Sequence, residues 1–497
     1  SKLINKMSGI NQEKIFDTIE SYGYDDIILM PGFIDFGVND VNLKTKLTKN
    51  IEINIPIISS PMDTVTETDM AIQMALLGGI GIIHGNNTIE TQINMVKQVK
   101  RYRNGIIRNP IQFKPEDTIE KAQEIRKKYG YGTFPVTEEG KSGTKWLGII
   151  SKVEIDFVEG TNKHNLIKDI MKKDDIYYQY DDIGIDKAYK YIKEKGLNTL
   201  PLIDKDKNLV GIIHRKDLLH NIDYPLSSKD KGGHLLVGAA ISTGKDSYER
   251  VKNLVEAGVD VVVIDSAQGN STFQINLIKH IKSNYNIDII AGNVVTLEQA
   301  TNLINVGADA LRVGMGIGSI CTTQEVCGVG RGQASAIYHI SNKLNIPVIA
   351  DGGIRGSGTI VKALSLGASS VMCGNLLAGT DEAPGNFFYE NGTRLKKYRG
   401  MGSLESQKMA MTSKSRYLSS DDAPIVSQGV DGCITAKGKL STLFNHIVQG
   451  IKHGMQDLGK INLFNLHKER VKLELRRAGA LYEGGVHSLY NYNKNSY

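Results

Sequence analysis

Eight short apolar runs recur along the chain, and four of them follow a helix-like segment that ends in glycine, as in Leu77-Gly78 and Val306-Gly307. Such a lead-in predicts a helix that is closed by a left-handed glycine and followed by a buried strand. Buried strands that alternate with helices indicate a parallel sheet, and eight of them favour a closed (β/α)8 TIM barrel over an open sheet. The runs are Ile55–Ser59, Gly79–His84, Leu235–Ile241, Val259–Asp265, Ile287–Gly292, Ala308–Val313, Ile346–Ala350 and Ser369–Cys373.

The interval between the second and third runs is too long for one helix and contains an internal repeat. Each half carries a helix, a strand with proline inside it, a polar turn and a Gly-Ile-Ile strand, first around Pro135 and Gly148 and then around Pro201 and Gly211. Either half alone would bury little core, so the two are predicted to fold as a tandem pair. The pair resembles the CBS (Bateman) modules that bind adenine or guanine nucleotides in many enzymes, and a purely structural pair is the alternative. The predicted domains are 1–109, the first part of the barrel; 110–224, the tandem CBS regulatory module; and 225–497, the rest of the barrel with a long connecting segment at about 396–440 and a C-terminal segment.

Composition places the chain among soluble globular proteins. Of its 497 residues 40% are apolar and 23% charged, and the formal net charge is only +6. No arginine-rich patch indicates nucleic acid, and no apolar run approaches the ~20 residues of a membrane span. The four cysteines have no zinc-ligand spacing, which favours thiols in a reducing compartment. A cytoplasmic protein is therefore predicted.

Polar and glycine residues cluster where the predicted strands end, which is the face on which such barrels carry their active sites. Asp351-Gly352-Gly353 and Cys373-Gly374-Asn375 follow the seventh and eighth runs. Loops at that position present backbone N–H groups to phosphate, and Asp351 is suited to a ribose diol. Asp265 with Ser266 ends the fourth run and is suited to a second ribose, as in nicotinamide cofactors. No Rossmann glycine fingerprint is present, so a dinucleotide would have to be held by the barrel itself.

The segment 314–325 carries three alternating glycines and then Cys321, flanked by Ile320 and Thr322. Glycines at this density let the backbone approach a ligand closely. A cysteine where a strand opens into a ligand-facing loop is a candidate nucleophile. A glycine-rich turn that happens to contain a small apolar residue is the alternative.

Together these motifs resemble the inosine 5′-monophosphate (IMP) dehydrogenases over nearly the whole chain. The motifs are Ser59–Glu67, Gly318–Glu325, Asp351–Gly353, Tyr398–Ser403, Gln428–Val430 and Glu483–Ser488. The resemblance implies NAD-dependent oxidation of IMP to XMP, the committed step of guanine nucleotide synthesis. It also implies that Cys321 adds to C2 of the purine, that a hydride leaves for the nicotinamide, and that water then hydrolyses the thioimidate.

The resemblance assigns roles to individual residues of this chain. Asn375 stands where serine is expected, and Ala267 stands where some relatives carry serine. The implied catalytic residues are Cys321, Thr323, Arg416 and Tyr417; those for the substrate are Ser60, Met62, Ser319, Asp351, Gly353, Gly374, Asn375, Tyr398, Gly400, Met401, Gly402 and Gln428; those for the cofactor are Asp265, Ser266, Asn293, Arg312, Gly314 and Gln324; and those for a potassium ion are Gly316, Gly318, Cys321, Glu483, Gly484 and Gly485.

Two larger features follow from the same resemblance. The segment at about 396–440 of the catalytic barrel would be a mobile flap that brings Arg416 and Tyr417 to the hydrolytic water after the cofactor has left. This closure would separate oxidation from hydrolysis in time. The potassium site would be completed by the C-terminal segment of a neighbouring subunit, which implies a homotetramer. Carbonyl cages of this kind replace the hydration shell of potassium.

The main alternative is the sister enzyme class, the guanosine monophosphate reductases. Cys321-Thr322-Thr323 and Gly328-Val329-Gly330 are similar to their sequences. The inserted modules and the arginine–tyrosine flap are expected to be missing from reductases, and on that ground the dehydrogenase is preferred. The same fold is also compatible with a nucleotide sensor without turnover or with a flavin-binding barrel.

Overall fold

A computed structural model describes residues 10–18, 20–102, 106–107, 110–129, 132–156, 165–174, 176–215, 218, 223–409 and 426–487. The described residues divide into two compact units. The first lies within 1–101, 226–228 and 235–497, and the second lies within 102–225 and 229–234. No helix among them is long and apolar enough to span a lipid bilayer.

Eight parallel strands close into a barrel in the first unit, each pairing with the next along the chain and the last with the first. The predicted (β/α)8 TIM barrel is therefore confirmed. All eight strands begin one or two residues later than predicted, because the residues after each helix-ending turn are not yet in the ladder. They are β1 Ile57–Ser59, β2 Ile80–Ile83, β3 Val237–Ile241, β4 Val261–Ile264, β5 Asp288–Val294, β6 Ala310–Val313, β7 Val348–Asp351 and β8 Ser370–Cys373.

One helix follows each strand and covers the outside of the barrel. Several of these helices end at the predicted glycines: Gly78 and Gly307 have φ angles of 96° and 110°, a region that residues with a Cβ rarely adopt. In strand order the helices are Thr68–Leu76, Ile89–Arg101, Ser247–Glu256, Thr272–Asn284, Leu297–Asn305, Gln333–Ser341, Ser357–Ser365 and Leu440–Asp457.

The barrel interior is a packed apolar core. Ile58, Val263, Ile290 and Ile349 contribute fully buried side chains to it from four different strands. A hairpin of Thr45–Lys46 and Glu52–Ile53 closes one end: its turn contacts the backbone of Asp309, which precedes β6. Because the N-terminal ends of the strands are closed in this way, ligands have access from the C-terminal ends.

The remaining elements of the first unit border the opposite end of the barrel or its outer wall. An antiparallel sheet of Phe388–Glu390, Thr393–Arg399 and Asp431–Thr435 follows β8, with the helix Leu404–Met409 between its last two strands. The predicted flap, 396–440, thus begins in this sheet and ends at the first residue of the barrel helix Leu440–Asp457, while Arg416 and Tyr417 lie outside the described residues. The other elements are the helices Gln12–Phe16, Thr323–Cys327, Leu463–Lys468 and Ala478–Glu483, and the antiparallel strands Ile27–Leu29 and Leu473–Leu475.

The second unit contains the two halves predicted from the repeat. The hairpin Thr133–Thr137 with Trp146–Ser151 pairs Pro135 with Ile149, and the hairpin Thr199–Ile203 with Leu209–His214 pairs Pro201 with Ile212. Each hairpin has a register shift near the end of its first strand, and each half has its own apolar cluster. The two halves therefore fold alike. The other elements are the helices Ile119–Tyr129, Lys152–Asp156, Ile167–Ile170 and Ile185–Lys195, and the strands Ile106–Ile107 and Gln179–Tyr180.

Replacing Ile290 by alanine is expected to lower the free energy of unfolding by about 2–5 kcal/mol, because the side chain is fully buried and its loss leaves a cavity. Leu297→Ala, at a side chain that is 39% exposed, serves as the control and is expected to change it by less than about 0.5 kcal/mol. Urea unfolding followed by circular dichroism measures both. Equal losses in the two variants would contradict the packed interior.

Candidate active site

A cavity of about 450 Å³ lies at the C-terminal ends of the barrel strands. It contains most of the residues that the sequence placed in the site, although they are spread over nearly 370 positions of the chain. Its lining includes Ser60, Met62, Asn293, Arg312, Gly314, Gly316, Gly318, Ser319, Cys321, Thr323, Asp351, Gly353, Gly374, Asn375, Tyr398, Gly400, Met401, Gly402 and Gln428.

Cys321 lies on the loop that leaves β6, immediately before the short helix Thr323–Cys327. Its Sγ atom is 3.2 Å from Oγ1 of Thr323, and that hydroxyl lies 3.2 Å from Oε1 of Gln428, to which it donates. A hydroxyl with a single proton that donates to Gln428 is left as an acceptor toward the thiol. The loop therefore holds a half-buried thiol in contact with a hydroxyl suited to proton transfer.

Backbone pairing fixes the cysteine loop against two other segments. The amide of Thr322 donates to the carbonyl of Gln428 at 3.1 Å, and the amide of Val430 donates to the carbonyl of Ile320 at 3.1 Å. The segment 428–430 is in turn held by the amide of Gly400, which donates to Val430 at 3.0 Å. The thiol, Gln428 and the loop 400–402 consequently form one connected wall of the cavity.

The loops after β7 and β8 form a cradle with little side-chain bulk. Gly352 and Gly353 have φ angles of 97° and 72°, so both residues need the left-handed region that favours glycine. A Cβ on Gly374 would lie 3.1 Å from the hydroxyl of Tyr398. Backbone amides and hydroxyls, with Ser319 opposite, therefore line a concave surface that suits a phosphate group.

The phenol of Tyr398 is almost completely buried in this cradle. Burial raises its pKa to about 12, and a hydrogen bond with Ser319 opposes part of this shift. The hydroxyl remains protonated at any physiological pH and can donate a hydrogen bond to an anion.

A buried guanidinium joins the two carboxylates that were assigned to riboses. Arg312 donates from Nε to Oδ2 of Asp351 at 2.8 Å and from Nη1 to Oδ1 of Asp265. Asn293 also donates to Oδ2 of Asp351, at 2.8 Å. Both of these bonds to Asp351 use Oδ2, and Asp351 lines the cavity, so its Oδ1 is the oxygen suited to a ribose diol.

Several predicted residues do not line the cavity. Asp265 and Ser266 lie behind Arg312 and the turn at Gln268, to whose carbonyl Ser266 donates at 3.0 Å. Gln324 donates to the carbonyl of Met315 at 2.8 Å and supports the loop from outside. Residues 483–485 belong to the C-terminal end of the chain, away from this lining. Within the described part of the chain, no three His, Cys, Asp or Glu side chains group as metal ligands.

The structure also shows site residues that the sequence reasoning missed. Gln333 donates to the carbonyls of Val313 and Asp351 at 2.8 and 3.1 Å, which fixes the end of β7. Tyr24 lies fully buried beside Gly353 and lines the cavity. Tyr24 comes from the N-terminal segment, and neither residue belongs to a motif that marks a ligand, so no local signal pointed to them.

The raised pKa of Tyr398 predicts an alkaline instability. Because the folded-state pKa lies above the ordinary value near 10, the stabilisation is present below about pH 10 and is lost as the pH rises toward 12. Over that range the free energy of unfolding of Tyr398→Phe is expected to fall by about 2–3 kcal/mol less than that of the unchanged protein. Urea unfolding on either side of about pH 10 measures the difference, with the exposed Tyr389→Phe as control. An identical pH dependence in all three proteins would refute a buried phenol.

Comparison with known proteins shows the family. Residues 21–487 match the family described as IMP dehydrogenase / GMP reductase domain. The chain is 42% identical to the inosine-5′-monophosphate dehydrogenase of Toxoplasma gondii, over 98% of this chain and 99% of that one. It is 44% identical to the Schizosaccharomyces pombe enzyme of the same name, over 95% of this chain and 93% of that one.

A solved structure of a related enzyme corrects one expectation. A cysteine-to-alanine variant of GMP reductase from Trypanosoma brucei, in complex with guanosine 5′-monophosphate, superposes with a TM-score of 0.81 at 32% identity. The match covers 96% of this chain and all of the reductase chain, so the reductase contains the inserted region as well. The expectation that the insertion excludes a reductase is therefore wrong. With its family model matched from residue 21 to residue 487 and relatives at 42–44% identity over nearly its full length, the chain belongs to the IMP dehydrogenase / GMP reductase family.

Proposed function

We propose that the chain is an IMP dehydrogenase, an NAD-dependent oxidoreductase that converts IMP to XMP. The contact of Cys321 with Thr323 at the mouth of the barrel, beside a phosphate cradle, is the observation that carries the proposal. The named dehydrogenases are 40–44% identical to this chain, whereas the superposed reductase is 32% identical. This difference supports the dehydrogenase.

The nucleotide is proposed to bind first through its phosphate. Backbone amides at Gly353 and Gly374, with the hydroxyls of Ser319 and Tyr398, offer neutral donors to the anion. Asp351 accepts from the ribose hydroxyls through the oxygen that Arg312 leaves available. The base then lies against Met401, Gly402 and Gln428, near Cys321.

Cys321 is proposed to act as the nucleophile. Its thiolate adds to C2 of the purine and forms a C–S bond, and the hydrogen on C2 leaves with its electron pair. NAD, when bound, accepts this hydride. Hydrolysis of the resulting thioimidate forms the new C–O bond, breaks the C–S bond and returns the thiol. A thiolate suits both steps because it is a strong nucleophile and then a workable leaving group.

Residues of this chain fit a nicotinamide ribose next to the nucleotide. Asn293 and Arg312 line the cavity, and Asp265 lies directly behind Arg312. Gly314 also lines the cavity, and its lack of a Cβ lets it pack against the carbonyl oxygen of Asp351, which a Cβ would meet at 2.0 Å. The proposed role of Gln324 is indirect, through its support of the loop.

The finer proposals concern the flap, the cation and the assembly. Arg416 and Tyr417 are proposed to activate the hydrolytic water, with Thr323 as a further proton carrier. Potassium is proposed to bind main-chain carbonyls of Gly316, Gly318 and Cys321, which are the ligand type that this ion prefers. Residues 483–485 of a neighbouring subunit would complete that site in a homotetramer, and the inserted pair is proposed to bind adenine or guanine nucleotides as a CBS module.

One assay separates the two enzyme classes of the family. With IMP, NAD and potassium, the proposal predicts a rise in the near-ultraviolet absorbance of reduced nicotinamide together with XMP. With guanosine monophosphate and NADPH it predicts neither loss of that absorbance nor release of ammonia. Ammonia in the second mixture, without activity in the first, would assign the chain to the reductases.

Cys321→Ser is expected to lower kcat by several orders of magnitude, because a hydroxyl replaces the thiolate that forms the covalent bond. Cys327→Ser, at the exposed cysteine six positions along the same loop and helix, is the matched control and should keep full activity. Steady-state NADH formation measures both variants. Turnover near the unchanged rate in Cys321→Ser would rule out covalent catalysis at this position.

Replacing potassium by lithium is expected to lower kcat severalfold while the melting temperature stays nearly constant. Lithium is too small to be held by a set of carbonyls spaced for potassium, so the loop that carries Cys321 loses its support. Rates are compared at equal ionic strength, with sodium as an intermediate case. Equal rates in all three salts would remove the cation from the proposal.

A further inference from the structure

Two charged residues inside the family motifs have no role in the chemistry above. Asp63 follows Met62 on the loop after β1, and Arg399 lies between Tyr398 and Gly400. Their side chains form a forked ion pair: Nη2 of Arg399 lies 2.8 Å from Oδ2 of Asp63, and Nε lies 3.1 Å from Oδ1. Both side chains are nearly buried, at 6% exposure for Asp63 and 13% for Arg399.

The pair is extended at both ends by further polar contacts. Asn86, on the loop after β2, donates to Oδ2 of Asp63 at 2.7 Å. Glu405, in the helix after the loop 400–403, lies 3.4 Å from Nη1 of Arg399. Burial lowers the pKa of Arg399, but the bonds to Asp63 and Glu405 outweigh that effect and the net shift is upward. The guanidinium is thus permanently charged and held from two sides.

The position of Arg399 connects this pair to the reacting groups. The next residue, Gly400, donates to Val430, which in turn donates to the carbonyl of Ile320 beside Cys321. Arg399 therefore anchors the start of the loop 400–402, and that loop braces the segment that carries Gln428. Movement at Arg399 would be transmitted to the base-binding loop directly and to the cysteine loop through one layer of backbone bonds.

We propose that Asp63 and Arg399 are positioning residues that fix the purine base against Cys321. This inference rests on the proposed function, because it assumes that the loop 400–402 contacts the base. The main effect of the pair is to fix the position of Arg399. Its net contribution to the free energy of folding is small, because the desolvation of two buried charges offsets most of their attraction. The bidentate fork fixes both the distance and the orientation of Arg399, which a single contact would not.

The key comparison is Asp63→Asn against Asp260→Asn. Asp260 pairs with Lys100 at 2.9 Å, with 12% and 13% exposure, so it belongs to a similarly buried ion pair remote from the cavity. Both variants are expected to lower the melting temperature. Only Asp63→Asn is expected to lower kcat/KM for IMP, by about tenfold to a hundredfold, because small displacements of reacting groups cost rates of that order.

Ribose 5-phosphate tests which part of the site is affected. This compound has the phosphate and the ribose of the nucleotide but no base. Its inhibition constant in competition with IMP is therefore expected to change by less than about twofold in Asp63→Asn, where a tenfold change would correspond to about 1.4 kcal/mol. The rate of adduct formation on Cys321, measured by rapid acid quench and intact mass, is expected to fall in parallel with kcat/KM. Arg399→Lys keeps the charge but loses the fork, and it should reproduce the defect if Asp63→Asn does not fold.

Equal kinetics in the Asp63 and Asp260 variants would overturn the inference and leave the pair a structural one. An equal loss of affinity for ribose 5-phosphate and IMP would also overturn it, because the whole site would then be affected. If the unchanged protein does not oxidise IMP, the proposed function fails; if it does and the Asp63 variant behaves as its control, only this inference fails.

Discussion

The buried guanidinium of Arg312 between Asp265 and Asp351 is the interaction on which the mouth of the barrel depends. It neutralises two carboxylates at the C-terminal ends of β4 and β7, which β5 and β6 separate in the barrel, and which would otherwise repel each other in a low-dielectric environment. Its two bonds fix the position of Asp351, which is proposed to bind the nucleotide ribose, relative to Asp265, which lies behind the proposed nicotinamide site. Under the proposed function, a nucleotide and a dinucleotide would then meet in one orientation, with the base of the nucleotide near Cys321. The geometry of the reaction thus begins with an ion network that touches neither reacting atom.

Backbone contacts of the cysteine loop determine where its reactive side chains lie. Glycine at Gly314 is required because any side chain would collide with the carbonyl of Asp351. The chain can therefore turn closely over β7 and return as a short helix at Thr323. The pairing of Thr322 with Gln428 then brings the thiol, a hydroxyl and an amide side chain into successive contact. These groups are in contact in the folded protein, although Thr323 and Gln428 are more than 100 residues apart in the sequence.

Much of the fold was predictable from the sequence because its determinants are local. The apolar runs, four of them preceded by a helix that ends in glycine, identified all eight strands. The rule that active sites occupy the C-terminal ends of strands identified most of the cavity lining. The extension of β5 to Val294 was missed because it depends on a register shift opposite β6. Asp63 and Arg399 were likewise missed as partners, since 336 positions separate them and neither residue indicates its partner. The positions of Arg416 and Tyr417 lie outside the described residues.

The choice between oxidation and reduction is made by chemistry within a shared fold. A reductase superposes on nearly the whole chain, so neither the barrel nor the inserted unit distinguishes the classes. The most direct measurement is the intact mass of the protein, quenched in acid during turnover of IMP with NAD. A nucleotide-sized mass increase that maps to Cys321 and is lost in Cys321→Ala is expected. Steady NADH formation with no adduct at Cys321 would contradict covalent catalysis at this position.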